Sequence, residues 1–90
     1  MPLNLTLDFT QYRNALPLGQ VMNALGLSVN GDSMILCPAH SEKHPSCKIY
    51  PDHVHCFSCG FHEDSIGLVQ HVLKYDFWGS LEWIADRAGI

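Results

Sequence analysis

Four side chains in this sequence are spaced for metal chemistry. Cys37-Pro38-Ala39-His40 places two donors on either side of two residues, fifteen residues follow, and Cys56-Phe57-Ser58-Cys59 repeats the spacing. A pair spaced this way wraps one tight turn, so its two donors reach an ion from adjacent corners. Two such pairs complete a tetrahedron. The implied chemistry is one structural Zn2+, because four protein ligands leave no position for water or substrate. Gly60, just past the second pair, lets the chain leave the turn at positive φ. Ligation in zinc-finger peptides is worth on the order of 10–16 kcal/mol, against a usual net stability of roughly 5–15 kcal/mol. The metal is therefore expected to be a condition of folding.

Two assignments stay open at this level. Cys47 in place of His40 would make a four-cysteine site, but it breaks the first pair, and a half-buried strand position suits it as a small hydrophobe. His44 and His62 fall outside the spacing, and strand alternation turns His55 away from its neighbour Cys56. The ligands expected are Cys37, His40, Cys56 and Cys59.

The elements that must position these residues are an α+β set, a zinc ribbon of antiparallel β-hairpins flanked by N-terminal and C-terminal helices. Asn30-Gly31 predicts a hairpin between Leu27–Val29 and Ser33–Leu36, delivering the chain to Cys37. Pro51-Asp52 predicts a second, between Cys47–Tyr50 and His53–Cys56. A two-residue turn there sets Ile49 opposite Val54 and Cys47 opposite Cys56. Lys48, Tyr50, His53 and His55 then share the other face. A helix is expected around Leu16–Leu25, ended by Gly26, with a shorter one over Asp8–Ala15 capped by Asp8. Asp64 and Asp76 are placed to cap helices over Ser65–Lys74 and Phe77–Ala88, the latter stopped by Gly89. The division expected is 1–27 helical, 28–62 ribbon and 63–90 helical, within one zinc-binding domain.

Composition narrows the function. Ninety residues with 47% hydrophobic and 16% charged positions make a small globular chain, too short for a catalytic α/β core beside the ribbon. Met1–Asp8 has neither a basic nor an apolar signal region, and no apolar run approaches the roughly 20 residues of a membrane span. A cytoplasmic protein is expected, in which four cysteines serve as thiols or metal ligands rather than disulfides. The net charge of −4 argues against a general polyanion binder. Three thiolates with one dication would add one further negative charge.

Beyond the ligands, Cys37-Pro38-Ala39-His40-Ser41-Glu42-Lys43-His44-Pro45-Ser46 and His55-Cys56-Phe57-Ser58-Cys59-Gly60 resemble the zinc-binding domain of bacterial and phage DNA primases. Glu63-Asp64-Ser65-Ile66-Gly67-Leu68-Val69 and the closing segment from Leu81 to Ile90 are similar to the family's later blocks. The resemblance covers about residues 34–90. The sequence departs from the pattern at His44, Cys47 and Glu63, none of them an expected ligand. The resemblance implies a zinc ribbon that contacts single-stranded template DNA and supports primer synthesis by a separate polymerase domain. No catalytic activity is then expected from these 90 residues alone. The chain would be a piece of a primase or a free-standing domain of a phage, plasmid or other mobile element, with a primase polymerase domain or a replicative helicase as partner.

Single-strand binding requires cations for phosphates and flat rings for bases. Lys43, Lys48, Tyr50 and His55 are the expected DNA-binding residues. The acidic balance makes the expected contact weak, through roughly two or three phosphates. The alternative reading is a zinc-stabilised protein-interaction adaptor of a phage or mobile-element replication system. It rests on the acidic charge and on Tyr75-Asp76-Phe77-Trp78. Trp78 and Trp83, five residues apart, point in different helical directions, which leaves one of them exposed.

Overall fold

A computed structural model describes residues 9–41 and 43–90. Short helices α1 (Phe9–Asn14) and α2 (Leu18–Ala24) precede strands β1 (Met34–Ile35), β2 (Cys47–Ile49), β3 (Val54–Cys56) and β4 (His62–Glu63). Helices α3 (Ser65–Leu73) and α4 (Phe77–Ala88) close the chain. The strands form one antiparallel sheet in the order β1-β2-β3-β4. α3 is the hub: it packs on α1, α2, α4 and β4, whereas α4 touches only α3 and α1 among the described elements.

The hairpin around Pro51-Asp52 has the expected register. Cys47 pairs with Cys56, Lys48 with His55 and Ile49 with Val54, and the Tyr50 amide donates to the His53 carbonyl at 2.8 Å. Alternation therefore buries Cys47, Val54 and Cys56 and turns Lys48 and His55 to the other face.

The hairpin expected at Asn30-Gly31 does not form. Residues 27–29 are not a strand, and β1 pairs instead with β2, Met34 opposite Lys48 and Ile35 opposite Cys47. The cause is local. The Asn30 side-chain oxygen accepts from the amides of Asp32 (2.9 Å) and Met34 (3.1 Å), closing a wider turn that reaches φ 60° at Ser33. β1 is thereby free to add to the ribbon as an edge. β4 was not foreseen, since two residues carry no periodicity.

The helices start where their caps predict. Asp64 accepts from the Gly67 amide at 2.9 Å, and Asp76 from the Gly79 amide at 2.7 Å. Lys74 ends α3 and Gly89 ends α4, both in the left-handed region. Pro17 stands at the N-cap of α2, and Gly26 follows its end at φ 76°. The Asp8 cap expected for α1 lies outside the described residues. α1 is instead fastened at its other end: the Ser65 hydroxyl donates to the Arg13 carbonyl (2.9 Å), and Arg13 pairs with Asp64 at 2.8 Å. That ion pair is partly solvated and contributes at most about 1 kcal/mol.

The core gathers Tyr12, Leu18, Val21 and Met22 from α1 and α2, Ile35, Cys47, Val54 and Cys56 from the sheet, and Ile66, Leu68, Val69, Leu81, Ile84 and Ala85 from α3 and α4. One polar atom in it is orphaned: the Ser80 hydroxyl, fully buried on α4, has no hydrogen-bond partner. Ser80→Ala should therefore leave stability unchanged or raise it by up to about 1 kcal/mol. Ile84→Ala, one turn further along, should lower it by about 2–5 kcal/mol. Urea unfolding of the zinc-loaded protein checks both, and a loss above about 1 kcal/mol in Ser80→Ala would contradict the assignment.

Candidate metal centre and the ring-lined sheet face

Cys37, His40, Cys56 and Cys59 offer four ligand atoms that all lie within 4.8 Å of one another. The Cys37 and Cys59 sulfurs are 3.7 Å apart. Two corners of a zinc tetrahedron with Zn–S bonds near 2.3 Å stand about 3.8 Å apart, so this edge already has the required length. Three sulfurs and one imidazole are the donor chemistry of a closed structural zinc site. The four are placed for one zinc ion, whose contribution is to cross-link the chain; no open corner is left for catalysis. Cys47 is not among them. It is fully buried on β2, with its sulfur in the core.

Local structure supplies each donor. Cys37 follows β1, and the Ala39 amide donates to its sulfur at 3.4 Å across the turn that carries His40. Cys56 ends β3, and the Gly60 amide closes the second turn on the Cys56 carbonyl at 2.9 Å. Gly60 then exits at φ 81°, as its type allows. The Phe57 amide donates to the Ser46 carbonyl at 3.0 Å, and the Ser46 hydroxyl lies 3.4 Å from the Cys56 sulfur. From α3, His71 Nε2–H donates to the Pro38 carbonyl at 3.0 Å while its ring packs on Phe61. This strut between helix and zinc turn is invisible in the spacing, because it joins residues 33 apart.

The sulfurs are not electrostatically equal. Burial pushes the Cys37 thiol up to about 12; the Ala39 amide opposes the rise, and the Cys56 and Cys59 sulfurs add to it. Burial also works against ionisation of Cys56. There the Ser46 hydroxyl and the amides of Cys59 and Ser58 more than offset it and bring the thiol down to about 6. Near neutral pH the metal-free cluster thus holds an anion at Cys56 and a proton at Cys37, and a dication must displace that proton.

The opposite face of the sheet is lined with rings. Tyr50 stacks on His53 (centroids 4.5 Å apart), His53 on His62 (4.6 Å), and His55 meets His62 and Phe57 edge-on (5.6 and 5.2 Å). The Lys48 ammonium sits 5.6 Å from the centre of the Tyr50 ring. Asp52 accepts from His53 Nδ1 at 2.6 Å, which holds the Asp52 carboxyl below its ordinary value. Of the residues expected to contact DNA, Lys48, Tyr50 and His55 come together here. Lys43 is exposed on the loop before β2 and takes part in none of these ring contacts. His62 joins through β4, opposite His55, and Phe57 is exposed on the zinc turn rather than folded around the metal.

A four-stranded antiparallel sheet with a three-cysteine, one-histidine cluster at its end defines a zinc ribbon. The family model described as the CHC2 zinc finger, the zinc ribbon of DnaG-type primases, matches residues 11–90, and the chain belongs to this family. Among curated proteins it is similar to the DNA primase of Neisseria meningitidis serogroup A, 41% identical over 59 residues, 63% of this chain and 10% of that protein. It is also similar to the DNA primases of Thermotoga maritima (44% over 57 residues, 61% of this chain, 10% of that protein) and Mycobacterium bovis (41% over 56 residues, 60% and 9%). The chain thus spans about a tenth of the length of these relatives. No helix among the described residues is long and apolar enough to cross a membrane.

Two outcomes test the centre. Elemental analysis should return one zinc per chain for the protein and for Cys47→Ala, and less than one for Cys56→Ser. Chelation should abolish cooperative unfolding; a fold that survives complete zinc removal would refute the dependence. The second concerns pH. Because Cys37 keeps its proton well above neutrality, zinc uptake releases it, and affinity falls as pH falls, by about tenfold per unit for each proton released. Below pH 6 the Cys56 thiol must also be deprotonated, so the decline steepens. Competition with a chelating dye between pH 5.5 and 8 checks the slope; a pH-independent affinity would contradict it.

Proposed function

We propose that this chain is a single template-contacting domain of a DNA primase system, acting in the cytoplasm. Single-stranded DNA lies across the outer face of the sheet. The zinc ion, held by Cys37, His40, Cys56 and Cys59, fixes the two turns that frame this face. The observation that carries the reading is the unbroken run of rings from Tyr50 through His53, His62 and His55 to Phe57, with the Lys48 ammonium beside it. His53 is sandwiched between Tyr50 and His62, so bases stack on the ring faces left open along the run, that of the exposed Phe57 above all, and base–aromatic stacking is worth about 1–3 kcal/mol per base. Lys48 and, from the loop before β2, Lys43 provide phosphate contacts. With a net charge of −4 these contacts are few, so stacking rather than charge carries the affinity.

Template contact alone makes no primer. The polymerising step belongs to a separate primase polymerase domain, with a replicative helicase as the further partner, and the kinship with much longer DNA primases, of which the match covers about a tenth, supports this division.

Fluorescence anisotropy with a labelled single-stranded oligonucleotide tests the reading. Expected are weak binding at 50 mM salt and a slope of log K against log salt of about −1.4 to −2, the signature of two or three phosphates on a single strand. Tyr50→Ala and His55→Ala should each weaken binding by about tenfold or more, and Lys48→Ala should also flatten the salt slope. No binding at 50 mM salt, or variants that bind like the parent, would overturn it.

A further inference from the structure

The outer side of α4 has chemistry that neither zinc nor a nucleic acid explains. Trp78, Glu82 and Asp86 are spaced by four residues and so lie along one helical face, with Tyr75 just before the helix. Tyr75 and Trp78 are about half exposed, at 47% and 54%. Tyr75, Glu82, Trp83 and Asp86, with Gly79 and Arg87, line an open groove of about 380 Å³. Neither Glu82 nor Asp86 has an ion-pair or hydrogen-bond partner among the described residues. Lys74 and Arg87 bracket the face without pairing to either carboxylate. Arg87 instead lays its guanidinium over Trp83, 3.9 Å from the ring centre. The groove therefore combines unpaired carboxylates with indole and phenol faces, one of them already holding a cation.

We propose that this face of α4 is a docking site for a cationic amphipathic helix of a protein partner. Lysine or arginine side chains of that helix pair with Glu82 and Asp86, and its apolar side covers Tyr75 and Trp78. Charge complementarity selects the occupant. The groove lining is net acidic, two unpaired carboxylates against the one guanidinium of Arg87, so a nucleic acid is disfavoured here, and so is a second copy of the same face. Among the described elements α4 packs on α3 and α1 and on no strand, so the site leaves the ring-lined face free. A partner seated here would hold the domain without occluding template. The proposal does not depend on DNA binding, and it gives the exposed aromatic segment a role.

The test uses zinc-loaded, 15N-labelled protein and a 14-residue helical Leu/Lys amphipathic peptide, with a Leu/Glu peptide of the same pattern as control. The expected result is amide shifts confined to residues 75–87 with the Leu/Lys peptide and none with Leu/Glu. The double variant Glu82→Gln/Asp86→Asn should weaken binding by about tenfold, two partly exposed charge pairs being lost. Trp78→Ala should weaken it as well. Arg87→Ala, which uncovers the Trp83 face and removes a competing cation, should strengthen it severalfold, a gain that a merely structural Arg87 would not give. Shifts spread over the sheet, equal binding of the Leu/Glu peptide, or an unchanged Glu82→Gln/Asp86→Asn affinity would each overturn the proposal. Self-association through this face, relieved by Trp78→Ala, would overturn it in favour of a second copy as occupant.

Discussion

The meeting of four donor atoms within 4.8 Å is the constraint on which the rest of this molecule depends. Its strands are two or three residues long, too short to hold a sheet by backbone pairing alone. Cys37 follows β1, while Cys56 and Cys59 lie at the end of β3 and in the turn after it, so an ion that binds all of them fixes β1 and β3, the two neighbours of β2, relative to each other. The register of β2 between them then follows from the Pro51-Asp52 turn. Without the ion, Cys37 and Cys56 would sit as neighbouring buried thiols with opposed tendencies to ionise. A dication that binds both sulfurs as thiolates removes that opposition, and because its ligands come together only in the fold, zinc binding and folding are best regarded as one equilibrium.

From that centre the constraint passes outward through α3. His71 reaches the zinc turn at the Pro38 carbonyl, Asp64 and Ser65 tie the start of the helix to Arg13 on α1, and Ile66, Leu68 and Val69 join the core that sheet and helices share. The apolar side chains involved form one cluster, and α3 packs on more of the described elements than any other helix. A change in this helix therefore reaches both the metal centre and α4, whereas a change on the outer face of α4 stays remote from the metal centre.

Much of this was readable in the sequence, and the exceptions have physical causes. The donors were legible because paired spacing is a local property of a turn. The caps at Asp64 and Asp76 and the stop at Gly89 were legible for the same reason. The Asn30-Gly31 pair was misread as a tight hairpin because the Asn30 side chain competes for the amides that such a turn would leave to the backbone. β4 and the His71 contact were missed because each exists only through distant partners. For the ring-lined face, alternation placed Lys48, Tyr50, His53 and His55 together, but His62 could join only once β4 was known. Lys43, grouped with them by residue type, stands apart because a loop rather than a strand carries it.

The net charge of −4 gains meaning when it is divided over the surface. On the sheet face, Lys48 and three imidazoles accompany Tyr50 and Phe57, and the nearby carboxylate of Asp52 is occupied by His53. At Asp64 and Asp76 negative charge caps helices, where the N-terminal dipole stabilises it. Among the described residues, Glu82 and Asp86, on a helix that packs on no strand, have no ion pair, and neither do Asp32 in the turn before β1 and Glu63 on β4. An overall acidic balance is thus compatible with a nucleic-acid face, provided that face works by stacking and the surplus charge is carried elsewhere. The two surfaces therefore offer a strand different chemistry: unpaired carboxylates in the α4 groove, and flat rings beside the Lys48 ammonium on the sheet, where stacking can outweigh the nearby acidic groups.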